Sequence, residues 1–128
     1  MVPTISIHSL HLEYQLWIRE LLFYKEEIRI FENHLEDLLQ KNTKNDVPAQ
    51  VEHFQNQFIR HKEVIDHLKH DLHVSERQLA AFTRELSGDG LESIKMDNHT
   101  RLRDEVFVFR KIYTELKHDF RRFELIWM

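Results

Sequence analysis

Apolar residues recur along most of this chain at alternating intervals of three and four. The first run is Ile7, Leu10, Tyr14, Trp17, Leu21, Tyr24, Ile28, Phe31, Leu35 and Leu38. The second is Val47, Val51, Phe54, Phe58, Ile65, Leu68, Leu72, Leu79, Phe82 and Leu86, with His61 and Ser75 standing in the same stripe. The third is Leu102, Val106, Phe109, Tyr113, Leu116, Phe120, Phe123 and Trp127, with a weaker beginning at Leu91, Ile94 and Asn98. Such spacing lines one face of an α-helix and favours left-handed supercoiled packing of long helices.

Two segments interrupt the pattern. Lys41–Pro48 is polar and Asn-rich and ends in a capping Asp46, with Pro48 in the first turn of the next helix. Leu86–Glu92 holds Gly88, suited to closing a helix, and Asp89 with Glu92, spaced as a capping box. The pattern therefore predicts helices over about 7–41, 47–87 and 90–127 within a single domain, 1–128. Short connections make successive helices antiparallel neighbours. The expected fold is all-α: an elongated up-down-up antiparallel three-helix bundle with heptad, coiled-coil-like packing. Gly88, Gly90 and Pro48 argue against one uninterrupted coiled coil. Three long heptad-bearing helices with Trp17 in the first are similar in outline to a spectrin-type repeat, a resemblance of architecture that implies no functional residue.

The first helix has more apolar surface than a three-helix core requires. Outside its main stripe lie Leu12, Leu16, Phe23 and Ile30, the last three at intervals of seven, with Ile18 and Leu22 widening the band. The third helix adds Phe107, Val108, Ile112 and Ile126. A contiguous apolar patch on a surface marks an interface. Leu12, Leu16, Phe23 and Ile30 are thus the candidate interface residues, facing a second copy in a homodimer or a partner helix.

Polar residues within the stripes point to a buried polar layer. An antiparallel register sets His61 level with Tyr24 and Ile28 on the first helix and close to Tyr113 on the third, and sets Ser75 level with Tyr14. Tyr24, His61 and Tyr113 are the expected layer, with the imidazole hydrogen-bonded to a tyrosine hydroxyl.

Composition removes many chemistries. With 2 Gly and 2 Pro in 128 residues the chain cannot supply the turns of a β-sandwich or barrel. It has no Cys, so disulfide and thiolate sites are excluded, and its glycines cannot form a phosphate-binding loop. The formal charge of −4 comes from interspersed signs, without a basic stripe for nucleic acid. Apolar runs such as Leu21–Tyr24 are too short to span a membrane, and Met1–Thr4 has no charged secretory start, so a cytoplasmic location is expected. Carboxylate pairs such as Glu26–Glu27 and Glu36–Asp37 read as solvated helix surface. No nucleophilic elbow occurs, so no catalytic residue, cofactor or enzymatic activity is expected.

Ten His invite a metal hypothesis. Glu115 with His118 is the only Glu-x-x-His pair, whereas a di-iron bundle needs two. The zincin motif is absent. Two looser clusters remain as candidate metal ligands: Asp66, His67, His70 and His73 on one face of the second helix, and His8, His11 and His99 with Asp97 at one end of the bundle. The expected function is a non-enzymatic helical-bundle module for interaction or oligomerisation. The alternative is a metal-binding or pH-responsive protein using these histidines, whose full protonation would carry the charge from −4 to about +6.

Overall fold

A computed structural model of the protein describes residues 7–42, 46–85 and 90–127, with side chains over 8–42, 46–81 and 98–127. Three helices make up the fold: α1 (Ile7–Lys41), α2 (Val47–Glu85) and α3 (Gly90–Trp127). No strand occurs among the described residues. At about 1.5 Å per residue each helix is roughly 50–60 Å long. Side chains expected to extend the stripes at Phe82, Leu86, Leu91 and Ile94, and the acid Asp97, lie outside the described residues, as does the turn at Gly88 and Asp89.

The described helix ends follow from their sequence. At the end of α1 the Asn42 N–H and Nδ2 both donate to the Leu38 carbonyl, at 3.0 and 3.1 Å. Nδ2 also reaches the Trp127 carbonyl at 3.4 Å, which ties the last turns of α1 and α3 together. At the start of α2 the Asp46 carbonyl accepts the Gln50 N–H at 3.1 Å. Pro48 occupies the first turn, where a missing N–H costs nothing.

Side-chain pairs give the directions of the helices. Gln15 meets Glu76, Lys25 meets Asp66 and Glu32 meets Lys62, so α2 runs against α1. Ser75 meets Asn98, His61 packs near Tyr113 and Phe54 on Phe123, so α3 runs against α2. Glu13 meets Arg103 and Glu27 meets Lys117, so α3 runs alongside α1.

Burial follows the three-four stripes. Leu21, Ile28, Leu35, Phe58, Ile65, Leu72, Leu102 and Phe120 are fully buried. Near the α1–α2 connection Phe31, Phe54, Phe58, Phe120 and Phe123 form a ring cluster drawn from all three helices, with centroids as close as 4.9 Å for Phe31–Phe120. Offset aromatic pairs of this kind add about 0.5–1.5 kcal/mol each beyond the area they bury. One apolar residue departs from expectation. Ile18 does not widen an outward band but is buried, because its seven-residue series continues to Lys25 and Glu32, which face α2.

Candidate functional site

The largest polar feature is a ladder between α1 and α3. Glu13, Glu20, Glu27 and His34, each seven residues apart, pair with Arg103, Arg110, Lys117 and Glu124, each rung joining residues 90 apart in sequence. Arg110 donates to the Glu20 carboxylate through both Nε and Nη2 at 2.9 Å. Lys117 Nζ reaches Glu27 at 2.6 Å, and the Tyr113 hydroxyl donates to the same carboxylate at 3.0 Å. On the last rung the acid belongs to α3: buried Glu124 takes His34 Nδ1 from α1 and Arg121 Nη1 from its own helix at 2.8 Å. Glu27 is therefore not solvated surface as its neighbour Glu26 is; its carboxylate is half-buried and doubly bonded. A glutamate side chain is long enough to turn from the helix flank towards a lysine and a tyrosine on the next helix.

His99 is the second departure. Grouped by sequence with His8 and His11, it is instead fully buried, while those two are exposed. The stripe of α3 continues backward from Leu102 to His99 rather than to Asn98, which is half-buried and donates to Ser75 Oγ at 2.5 Å. The imidazole stacks on Trp17 at 5.3 Å and meets the edge of Tyr14 at 5.5 Å. Nε2 lies 2.8 Å from Glu13 Oε2 and 3.0 Å from Arg103 Nη2. Nε2 accepts from Arg103 when it carries no proton and donates to Glu13 when it does, and Arg103 also serves the Glu13 carboxylate at 3.2 Å. Nδ1 is buried without a hydrogen-bond partner. Burial holds the His99 pKa below the ordinary value; Glu13 opposes that shift and Arg103 reinforces it. Beside it the Tyr14 hydroxyl is raised, by burial first and by Glu13 and Glu76 next, against a lowering bond from Ser75.

The expected polar layer is present as a stack of rings but not as the expected hydrogen bond. Tyr24 and Tyr113 pack at 4.6 Å, and the His61 ring lies 6.2 Å from Tyr113 and 5.6 Å from Phe109. His61 Nδ1 donates to the Gln57 carbonyl one turn back at 2.8 Å, and Nε2 has no partner. The helix carbonyl is closer to hand than either tyrosine, and Tyr113 is committed to Glu27. Burial, followed by that carboxylate, pushes the Tyr113 pKa far up.

The four candidate interface residues form one outer ridge of α1: Leu12, Leu16, Phe23 and Ile30 are 52%, 56%, 58% and 48% exposed. The helical repeat also places Arg19 on this ridge, between Leu16 and Phe23. Arg19 is exposed and has no ion-pair partner among the described residues. On α3 the exposed Phe107 ring lies beneath the Arg110 guanidinium at 6.0 Å.

Between α2 and α3 runs an apolar groove of about 670 Å³. Val64, Leu68, Val108, Phe109 and Ile112 line it, with an edge of His61. Asp71 and Asp104 stand at one end and Arg60 towards the other, and none of the three has an ion-pair partner among the described residues.

The candidate metal ligands are dispersed. Asp66 is held by Lys25 at 2.7 Å, His67 lines the groove, and His70 and His73 are exposed. His11 Nδ1 lies 3.3 Å from Glu76. Among the described residues no group of three or more His, Asp or Glu side chains is placed to hold a metal ion. No helix among them is long and apolar enough to cross a membrane.

The α1–α3 ladder and buried His99 escape sequence reasoning, although acids at 13, 20 and 27 and bases at 103, 110 and 117 share one seven-residue spacing. No protein family matches this chain, and no curated protein or solved structure matches it.

Proposed function

We propose that this protein is a non-enzymatic helical-bundle module that associates through the outer ridge of α1, a second copy being its simplest occupant and a partner helix the other. The observation that carries the reading is the ridge itself. Leu16, Phe23 and Ile30 repeat every seven residues on one face, and each is about half exposed on a helix whose opposite face already supplies a full core. Heptad-spaced apolar residues on a second face add nothing to a closed bundle and suit the packing of a further helix.

The titratable groups drawn inward support a structural role for the polar residues. Glu20, Glu27 and Glu124 each meet a cation across or along the helices, and Tyr113 is closed onto Glu27.

The test is the mass of the native protein with and without the ridge. Wild-type protein is expected above monomer mass at micromolar concentration, and Phe23→Asp is expected at monomer mass with unchanged helicity by circular dichroism. A wild-type chain that stays monomeric, and whose photocrosslinker at position 23 joins no partner helix, would overturn the reading.

A further inference from the structure

The ridge of α1 and the groove between α2 and α3 lie on opposite sides of the bundle, and they match. We infer that the ridge of one copy seats in the α2–α3 groove of the next, a head-to-tail association; this deepens the proposal above and rests on it.

Shape comes first. A convex row of side chains is complementary to a concave groove, whereas two ridges or two grooves placed face to face leave gaps. Phe23 and Ile30 supply the convex apolar surface, and Val64, Val108 and Ile112, each about half exposed, supply the concave one.

Charge gives the direction. Arg19 is the cation of the ridge, without an ion-pair partner among the described residues. Asp71 and Asp104 are acids in the same condition at one end of the groove. Seating Arg19 between them puts Phe23 about 6 Å further along, over Val108 and Leu68, and Ile30 about 16 Å along, near Ile112. Glu26, which Arg29 holds at 3.3 Å on its own helix, then lies on the side of Arg60, the cation of the other end. The charges alternate in matching order along the two surfaces, so one orientation is favoured and its reverse sets like charges together.

That orientation is the one α1 already has within its own bundle. Within one copy Gln15 and Lys25 of α1 pair with Glu76 and Asp66 of α2, and Glu20 with Arg110 of α3, so Arg19 is already level with the Asp71–Asp104 end. The incoming copy therefore needs a sideways displacement with little shift along the helices. A contact of this kind is heterologous and does not close at two, so copies add to either side.

Two exposed-site variants separate this arrangement from a pairing of α1 with α1. Phe23→Asp removes the ridge and keeps the groove; Val108→Asp removes the groove and keeps the ridge. Native mass spectrometry should find wild type as a concentration-dependent series of multimers, each variant alone as monomer, and an equimolar mixture as a one-to-one heterodimer that grows no further. Val108→Asp retaining wild-type masses while Phe23→Asp is monomeric would overturn the head-to-tail contact and leave the ridge reading intact. Monomeric wild type would overturn the head-to-tail contact, and the ridge reading with it only if a photocrosslinker at position 23 also joins no partner helix. Should either variant lose helicity, the exposed substitutions Arg19→Glu and Asp104→Arg decide instead. Each alone should weaken assembly up to about fivefold, the worth of one exposed ion pair, and mixing the two should restore it. No recovery on mixing would overturn the proposal.

Discussion

Arg110 and Glu20 are joined across α1 and α3 by a forked contact in which Nε and Nη2 both donate to the carboxylate, with Nη2–Oε1 at 2.8 Å. The guanidinium also covers the exposed ring of Phe107. The pair is the best-formed rung of a ladder repeating at heptad spacing. A double-mutant cycle with Arg110→Ala and Glu20→Ala should give a coupling of about 1 kcal/mol, at the upper end for a partly exposed pair. Moderate salt should shrink that coupling, and a value indistinguishable from zero at low salt would show that the rung holds nothing.

Tyr113 tests the buried half of the same ladder. Tyr113→Phe leaves Glu27 with Lys117 alone and should cost about 1.5 kcal/mol in urea unfolding, the low end for one hydrogen bond to a charged group. The 3 tyrosines of the chain are all shifted upward, burial being the largest cause in each. An acid whose folded pKa lies above its unfolded value stabilises the fold below the unfolded pKa and loses that contribution as pH rises. Tyrosinate absorbance should therefore appear above about pH 10 together with loss of helicity. Ordinary titration near pH 10 with helices intact would contradict the burial.

His99 makes a prediction at the other end of the pH scale. Its folded pKa is lowered, so the unfolded chain takes up a proton first, and stability falls as pH drops through about 6.5. The melting temperature should decline between pH 7.5 and pH 5.5, and His99→Gln should decline less over that window. Equal slopes for the two proteins would show that His99 plays no part in the acid response.

Core and ridge positions should separate cleanly. Leu21 is fully buried, and Leu21→Ala should cost about 2–5 kcal/mol of unfolding free energy. Leu16 sits five residues earlier on the exposed ridge, and Leu16→Ala should cost the monomer less than about 0.5 kcal/mol. Similar losses at the two positions would mean that the ridge belongs to the core.

The contrast between Leu21 and Leu16 is legible in the sequence, since a three-four stripe needs no knowledge of neighbours. So is the level of Ser75 with Tyr14, because antiparallel register follows from short connections. The ladder is not. A single charged residue flanking a stripe reads as solvated, and only the axial alignment of α1 with α3, whose chain connection runs through all of α2, brings Glu27 to Lys117. His99 escapes because Asn98 and His99 both fit a stripe ending at Leu102. The His61 bond is misassigned by register alone because a carbonyl four residues back is in reach on any helix, a local partner that no heptad diagram displays.

Whether the outer ridge of α1 is a docking surface is decided by native mass spectrometry of wild type beside Phe23→Asp. Wild-type masses should lie above the monomer, and Phe23→Asp should lie at the monomer with unchanged helical circular dichroism. Identical mass distributions for the two proteins, with no partner helix joined by a photocrosslinker at position 23, would contradict a docking role for the ridge.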